Sequence, residues 1–300
     1  MHYFVTGASG LIGRSLVKEL ISLGHTVLGL ARSDKSAEII KSLGAQVHRG
    51  DLHNLESLKS GATQCDGVAH LAFEHDFDGK FDFEGWCRTD RAAITAFAEV
   101  LKGTSKPLVI TNGVLFLPKG RLATEEDAYN PEEPFAKLRG ASEDLTQSLA
   151  KQGMKAMVVR LAPSNHGHED QGLITMLINK ARETGLSCYF NEGTNTWPAV
   201  HILDTAKLYA LALEKGRAGA TYHAVAEQGV TLKDIAAAIG KKTGLPTKSL
   251  TMEQGQKHFG NIAFAAVGDS LVSSDATQAE LGWKPEQITL LADIASDAYA

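Results

Sequence analysis

The chain has 300 residues, enough for one large domain or two modest ones, and 43% of them are hydrophobic, which suffices for a substantial core. The formal net charge of −5 gives no electrostatic reason to expect nucleic acid or an anionic membrane as a partner. No apolar run is long enough to span a bilayer, and the first strand begins so early that we expect no signal peptide. The three cysteines lie far apart without a Cys-x-x-Cys pair, which favours a reducing, cytoplasmic location.

A glycine-rich turn joins the first predicted strand, 3–5, to the first predicted helix, 11–23. In such a turn the first glycine allows a tight bend, the second lets the backbone approach a pyrophosphate, and the third lets the helix pack close to the strand. The free N–H groups and the positive end of the helix then face the negative ligand. The turn predicts a dinucleotide site formed by Gly7, Ser9, Gly10, Leu11, Ile12 and Gly13.

The remainder of the first half alternates strands with helices. Strands are predicted at 26–31, 45–48, 67–72, 107–111 and 155–161, and helices at 36–43, 55–59, 89–102 and 139–152. This alternation predicts an α/β fold with a doubly wound parallel sheet of the Rossmann type.

Beyond Pro163 the alternation is less regular, with helices predicted at 172–184, 204–215, 231–243 and 290–299 and short strands at 187–190, 200–202 and 220–223. We interpret this half as a smaller C-terminal domain that covers the substrate. Residues 1–163 would form the dinucleotide-binding domain, and a strand and helix at about 200–215 would return to it. The smaller domain would then comprise 164–199 and 216–300.

The end of the second strand, about twenty residues after the glycines, is where a dinucleotide-binding protein meets the adenosine ribose. An acidic residue there would repel a 2′-phosphate, whereas this chain has Arg32 and Ser33. Arg32 can stack on adenine and bind a phosphate, and Ser33 can add a hydroxyl donor. These residues favour NADPH over NADH as the cofactor, unless Arg32 is only a solvated residue at a strand end.

Two further strand ends are expected to contact the cofactor. Asp51 and Leu52 are placed to meet the adenine edge, although Asp51 could equally cap the following helix. Leu71 and Ala72 should pass under the nicotinamide-side ribose through backbone contacts. His70, which precedes them, is predicted to be a core histidine.

With these residues placed, the chain resembles the extended short-chain dehydrogenase/reductase superfamily, the fold of NAD(P)-dependent epimerases and dehydratases. The resemblance covers nearly the whole chain. It is closest to an atypical subgroup that keeps the cofactor motif and lacks the usual active site. The segments that carry it are 6–13, 50–52, 70–72, 160–163, 200–204 and 280–285.

The usual active site of that superfamily has a Ser or Thr after the fifth strand and a Tyr-x-x-x-Lys on the next helix. The alignment places Gly113 at the serine, so Asn112 or Thr111 would supply the polar group. It places Phe135 at the tyrosine and Arg139 at the lysine. Phenylalanine has no proton to give, whereas arginine can hold the ribose hydroxyls but cannot act as an acid at neutral pH.

Another proton donor is therefore needed, and His166 and His168 are the candidates because the resemblance places their segment beside the nicotinamide and the substrate. Tyr129 is the nearest tyrosine before the helix, and we interpret it as a surface residue. A His-x-His pair also suggests a metal site, but two ligands without a third make that interpretation weak, and we predict no metal.

These observations predict an NAD(P)H-dependent reductase of small aldehydes or ketones, with a small carbonyl compound as its partner. A homodimer is a further expectation. Hydride transfer to a reactive carbonyl does not strictly need the tyrosine, because positioning supplies most of the rate. A non-catalytic sensor that binds NADP is the alternative. A nucleotide-sugar epimerase or dehydratase is less favoured, because both Tyr and Lys are replaced.

Overall fold

The computed structural model describes residues 1–74 and 81–299, without the side chains of Asn261 and Phe264. The strands are β1 (His2–Thr6), β2 (Thr26–Ala31), β3 (Gln46–Arg49), β4 (Gly67–His70), β5 (Leu108–Gly113), β6 (Leu122–Ala123), β7 (Ala156–Leu161), β8 (Ser164–His166), β9 (Ser187–Phe190), β10 (Thr196–His201), β11 (Thr221–Ala224), β12 (Glu227–Thr231), β13 (Thr247–Leu250) and β14 (Leu271–Val272).

The helices are α1 (Leu11–Ser22), α2 (Asp34–Ser42), α3 (Leu55–Thr63), α4 (Phe83–Leu101), α5 (Pro134–Lys151), α6 (Leu173–Thr184), α7 (Ile202–Lys215), α8 (Leu232–Thr243), α9 (Met252–Phe259), α10 (Ala263–Ala266), α11 (Asp275–Leu281) and α12 (Leu290–Ala295). Short 3-10 turns lie at Val114–Phe116, Gly260–Ile262 and Asp297–Tyr299.

Seven parallel strands form the main sheet of the described chain, in the spatial order β11-β7-β5-β4-β1-β2-β3. The order reverses direction between β1 and β4, and this is where open α/β sheets bind ligands at the carboxyl ends of their strands. The α/β fold with a doubly wound parallel sheet is therefore confirmed.

Helices cover both faces of this sheet. The apolar side chains of α1, α2 and α7 form one core on the first face, and those of α3, α4 and α5 form a second core on the other. Both faces of the sheet are thus buried, which explains why its strands are continuous apolar runs without alternation.

Two predicted helices begin earlier than their apolar periodicity suggested. Helix α4 begins at Phe83, because the Asp82 side chain accepts a hydrogen bond from the backbone N–H of Gly85 and caps the helix. Helix α5 begins at Pro134, where the fixed φ of proline suits the first helical position. Both early starts lengthen the helices that flank the carboxyl edge of the sheet.

The C-terminal half has its own core, formed by α6, α8, α9 and α12 around the buried Trp197 of β10. Strand β10 pairs with β8 and β12 in a three-stranded sheet. The strand predicted at 200–202 therefore does not return to the main sheet, and that detail of the prediction was wrong. Helix α7 does return and packs on α1, whereas the strand that joins the main sheet is β11.

The late Leu-Gly-Trp segment ties the C-terminus to α7. The indole of Trp283 is 1% exposed, and its Nε1 donates to the carbonyl of Asp204 at 2.9 Å. The carboxylate of Asp204 accepts the backbone N–H groups of Glu286 and Gln287. Because Asp204 lies at the start of α7, this contact fixes the last segment against the dinucleotide-binding half.

In the part of the chain that the structure describes, no helix combines the length and the hydrophobicity that crossing a membrane requires. Cys65, Cys87 and Cys188 are free and buried. Burial raises the pKa of the Cys65 thiol to about 12 and that of Cys87 to about 11. These thiols therefore behave as small apolar side chains.

A buried polar network joins β7 to α5 and β11. Arg160 donates to the Glu143 carboxylate through Nε at 2.9 Å and through a terminal nitrogen at 2.6 Å. His223 lies 3.2 Å from Arg160 and 2.8 Å from the carbonyl of Ser273. Burial, followed by the positive charge of Arg160, lowers the pKa of His223 to about 3. The imidazole is therefore neutral in the folded protein near neutral pH.

Because His223 is neutral in the folded protein, we expect it to make the protein less stable in acid. Above pH 6.5 the group is neutral in both states, but as the pH falls from about 6.5 to about 3 only the unfolded chain takes up the proton. Its contribution lowers the free energy of unfolding by about 1.4 kcal/mol per pH unit across that window. In urea unfolding between pH 7 and pH 4.5, the free energy of unfolding of His223→Gln should fall less steeply with falling pH than that of the wild type. His168→Gln replaces an exposed histidine and should keep the wild-type pH dependence. The same pH dependence of the free energy of unfolding in all three proteins would contradict this account.

Candidate functional site

The turn between β1 and α1 has the geometry of a tight phosphate cradle. Gly7 has φ +69°, and a Cβ on it would lie 2.9 Å from the backbone nitrogen of Ala72. A Cβ on Gly13 would lie 2.0 Å from the carbonyl oxygen of Gly7. Both positions therefore exclude a side chain. At Gly7 the backbone that follows β4 is too close, and at Gly13 helix α1 packs directly on the turn.

The N-terminus of α1 is open toward the carboxyl edge of the sheet. Gly10 is its N-cap and offers no side-chain cap, and the first turn holds no acidic residue. Gly10 is exposed, and Leu11 and Ile12 are partly exposed beside Ser9. An open N-terminus with free N–H groups suits an anion, so the residues present fit the pyrophosphate of a dinucleotide.

Arg32 and Ser33 follow β2 at the carboxyl edge of the sheet, where the adenosine ribose was predicted to bind. Arg32 is exposed, and no interaction with another described residue engages its guanidinium. Ser33 caps α2, because its Oγ accepts the backbone N–H of Ser36 at 3.2 Å. Nearby, Arg49 pairs with the exposed carboxylate of Asp34 at 2.5 Å. Arg32 is thus available for a phosphate, whereas the Ser33 hydroxyl already acts as a cap.

Asp51 and Leu52 follow β3. Oδ1 of Asp51 accepts the backbone N–H groups of His53 at 2.9 Å and Asn54 at 3.0 Å, whereas Leu52 is buried. Helix α3 is capped by Asn54, whose side chain accepts from Ser57, so the alternative that Asp51 caps this helix was wrong. Asp51 is exposed at the carboxyl edge, where the adenine contact was predicted.

The end of β4 is bound to the cradle through Thr6. Its Oγ1 accepts the backbone N–H of Ala72 at 3.1 Å and lies 2.7 Å from Nδ1 of His70. His70 is 1% exposed, which confirms the predicted core histidine. Leu71 and Ala72 are partly exposed beside Gly7. The predicted backbone contact of these two residues with the cofactor stays a prediction.

Arg139 lies in a buried ionic cluster. Its guanidinium donates to Asp90 of α4 at 2.5 Å and also to the carbonyl of Thr111. Ser142 donates to the same carboxylate at 2.6 Å, and Nε2 of His70 lies 3.4 Å from its other oxygen. Burial by itself raises the pKa of the Asp90 carboxyl, but Arg139, His70 and Ser142 outweigh it and lower the net pKa to about 2. The charge of Arg139 is therefore compensated inside the protein.

Thr111 and Asn112 lie near the end of β5, and their polar atoms are engaged in hydrogen bonds. Asn112 is 4% exposed, and its amide donates to Glu143 at 2.6 Å while its Oδ1 accepts the backbone N–H of Gly113. Thr111 donates to the carbonyl of His70 at 2.9 Å and lies 2.6 Å from the hydroxyl of Tyr209. Either side chain would have to leave these partners in order to polarise a substrate carbonyl.

The tyrosine position of the resemblance is occupied by an exposed hydrocarbon ring, because Phe135 in the first turn of α5 is 53% exposed. Tyr129 does not replace it. Its ring packs where a Cβ on Gly140 would lie, and its hydroxyl donates to Asp144 at 2.6 Å. This bond, followed by burial, raises the pKa of Tyr129 to about 12 and makes it a poorer proton donor.

The two candidate histidines have different surroundings. His166 is 1% exposed, and its Nδ1 lies 2.8 Å from the buried carboxylate of Asp293. His168 is exposed in the loop that follows β8. The next residue, Glu169, forms an ion pair with Arg14 of α1 at 2.7 Å, so this loop lies beside the cradle. His168 is therefore the solvent-accessible histidine of the pair.

Two parts of this region were not predicted from the sequence. One is Asp90, the carboxylate that neutralises Arg139 and that could have been noticed as a charged residue on the apolar face of α4. The other is a group of aromatic rings around Phe135, for which the density of aromatic residues just before and within the start of α4 was the available signal.

Comparison with known proteins agrees with this geometry. The model of the NAD dependent epimerase/dehydratase family matches residues 3–226. An uncharacterized protein of Saccharomyces cerevisiae is 46% identical over 299 residues, which cover 99% of each chain. A 4-hydroxy-2-methyl-3-oxo-4-farnesyl-3,4-dihydroquinoline-1-oxide ketoreductase of Stigmatella aurantiaca is 28% identical over 90% of this chain and 80% of its own length. The solved structure of UDP-glucose 4-epimerase from Thermotoga maritima superposes with a TM-score of 0.80 at 18% identity, covering 100% of this chain and 98% of that one.

Proposed function

Because the chain belongs to the NAD dependent epimerase/dehydratase family, whose members are NAD(P)-dependent oxidoreductases and epimerases, we propose that it is an NAD(P)H-dependent reductase of small aldehydes or ketones. The observation that carries this proposal is a complete cofactor cradle at Gly7 and Gly13 beside a tyrosine position occupied by Phe135. Such a site can hold and orient a cofactor, but it offers no phenol to protonate or deprotonate a sugar hydroxyl.

Reduction of a reactive carbonyl suits these residues. The reduced nicotinamide, when bound, supplies the hydride, and the chain has only to position a carbonyl carbon against it. The proton for the alkoxide oxygen comes from water or from the exposed His168. General acid catalysis by a positioned phenol typically raises the rate by roughly 10²- to 10⁴-fold, and this site would not have that increase. We therefore expect slow turnover with activated carbonyls.

A cofactor-binding sensor without turnover is the second candidate. It is supported by the polar side chains near the end of β5 and on α5, since Thr111, Asn112 and Arg139 all bind partners within the protein. A sensor needs only the cradle and the adenosine side, both of which are open.

One experiment separates the two candidates. NADPH and NADH absorbance at 340 nm is followed with a panel of small aldehydes and ketones, while cofactor binding is measured separately by fluorescence. Oxidation that depends on the carbonyl compound supports the reductase, and the same assay on His168→Ala should show lower turnover at unchanged cofactor affinity. Binding without oxidation of either cofactor would refute the reductase and favour the sensor.

We also propose that NADPH is preferred over NADH, because the Arg32 guanidinium is exposed where a 2′-phosphate would lie. Arg32→Asp should weaken NADPH binding by about tenfold or more and leave NADH binding within about twofold, because a guanidinium–phosphate contact is replaced by repulsion. Isothermal titration calorimetry with each cofactor measures the two affinities. The control is Arg182→Asp on α6, which makes the same charge change at an exposed arginine of the C-terminal half. An unchanged ratio of the two affinities in Arg32→Asp would show that Arg32 does not contact the phosphate.

We finally propose a cytoplasmic location, where thiols stay reduced. The three buried cysteines support it, because none needs a disulfide to complete its packing. Fluorescence microscopy of the tagged chain in its own cells tests this location.

A further inference from the structure

Five aromatic side chains, which we call the aromatic patch, gather at the carboxyl edge of the main sheet: Phe73, Phe81, Phe83, Trp86 and Phe135. The centroids of Phe83 and Phe135 lie 5.2 Å apart at 79°, and those of Phe81 and Trp86 lie 5.2 Å apart at 74°. These edge-to-face pairs have the geometry that aromatic rings prefer. The patch is therefore an ordered arrangement of rings from three segments.

Two of these rings remain on the surface. Phe81 is 55% exposed and Phe135 is 53% exposed, and their centroids lie 6.2 Å apart. Trp86 is 7% exposed and lies beneath Phe81. Adjacent exposed phenylalanines above a buried tryptophan form an apolar surface, and surfaces of this kind mark binding sites more often than scattered apolar residues do.

The position of the patch relates it to the cofactor cradle. Phe73 directly follows Ala72, whose backbone nitrogen lies against Gly7. Cζ of Arg139 lies over the ring of Phe73, 4.4 Å from its centroid. Phe135 is one helical turn before Arg139, at the position where the resemblance aligns the tyrosine that meets the substrate carbonyl. The aromatic patch therefore adjoins the cradle at Phe73.

The charge around the patch indicates which substrates fit it. Arg139 is the cation in contact with Phe73, and its charge is compensated by Asp90 and by the carbonyl of Thr111. The five rings themselves carry no charge. Against these rings a phosphorylated or nucleotide-linked substrate would lose hydration, and Arg139, the described cation in contact with Phe73, is already paired, whereas an uncharged aromatic ring would lose little.

We propose that the aromatic patch is the substrate subsite of the reductase and takes uncharged aromatic carbonyl compounds, with their ring against Phe81 and Phe135 and their carbonyl toward the cradle. This inference rests on the proposed function. In the reaction the carbonyl carbon of an aryl aldehyde gains the hydride of NAD(P)H, the oxygen gains a proton from water or from His168, and the products are the benzylic alcohol and NAD(P)⁺.

The test compares benzaldehyde with glycolaldehyde, a reactive aldehyde that has no ring. In Phe135→Ala and in Phe81→Ala, the ratio of kcat/KM for benzaldehyde to that for glycolaldehyde should fall about tenfold, mainly through KM, because an edge-to-face contact and its buried area are lost. Ile288→Ala removes an apolar side chain that is 50% exposed elsewhere, and it should leave the ratio unchanged. Thermal melting of each variant establishes that it is folded.

Three outcomes overturn the inference. A ratio that stays at the wild-type value in both folded phenylalanine variants excludes the patch as the subsite, although turnover of glycolaldehyde would still support a reductase. Absence of turnover with either aldehyde removes the proposed function, and the inference with it. A concentration-dependent dimer in sedimentation that both phenylalanine variants lose, with an unchanged ratio, would assign the patch to a second copy of the chain.

Discussion

Gly13→Ala should weaken binding of both NADPH and NADH by about 10- to 100-fold. The added Cβ would lie 2.0 Å from the carbonyl oxygen of Gly7 and 2.8 Å from its carbonyl carbon, and neither backbone atom can move without opening the turn. Overpacking of this kind typically costs about 1–3 kcal/mol, and here the strain falls on the turn whose N–H groups would bind the pyrophosphate. Fluorescence titration with each cofactor measures the loss.

The control for this variant is Lys18→Ala, on the exposed side of the same helix. It should retain wild-type affinity, because alanine there meets no neighbouring backbone and is a good helix former. Thermal melting separates a local change at the cradle from general unfolding. Wild-type affinity in a folded Gly13→Ala protein would show that the close packing of α1 on the turn is not needed for binding.

Asp90→Asn should lower the free energy of unfolding by about 3–5 kcal/mol. The carboxylate is 2% exposed and neutralises the Arg139 guanidinium, which is 6% exposed. The amide would leave that cation buried without an anionic partner, and the hydrogen bond donated by Ser142 would also weaken. Urea unfolding measures the change, with the midpoint and the slope fitted separately.

Two controls make this prediction specific. Asp34→Asn removes an arginine pair of the same 2.5 Å length at a carboxylate that is 90% exposed, and it should cost less than about 1 kcal/mol. The double variant Asp90→Leu/Arg139→Met should be more stable than Asp90→Asn, because both charges leave the interior together. If Asp90→Asn lowered the free energy of unfolding no more than Asp34→Asn does, burial would not make the Asp90–Arg139 pair more stabilising than an exposed pair.

The elements of the main sheet could be predicted from the sequence because each of them has a local cause. Strand β2 was predicted with its observed bounds, since a continuous apolar run between two turn signals is typical of a strand buried on both faces. Strand β6, with two residues, and strand β8, with three, were not predicted, because they are too short to show a period. Their pairing depends on partners distant in the chain.

The candidate site likewise has parts that could be predicted from the sequence and parts that could not. The cradle was visible because a turn that excludes a Cβ at Gly7 and Gly13 requires glycine locally. The surroundings of Arg139 and His166 were not visible, because their partners Asp90 and Asp293 lie 49 and 127 residues away in sequence. Local reasoning could assign these two side chains a chemical type but not a partner.

The sequence by itself determined the α/β fold and the glycine turn between β1 and α1, because each is a property of consecutive residues. That Phe135 stands at the tyrosine position is what the resemblance implies. Only the tertiary structure decided that Arg139 is neutralised by Asp90, that His166 is buried while His168 is exposed, and that the aromatic rings meet beside the cradle. Burial and charge compensation depend on which distant segments pack together, and the folding of the whole chain sets that packing.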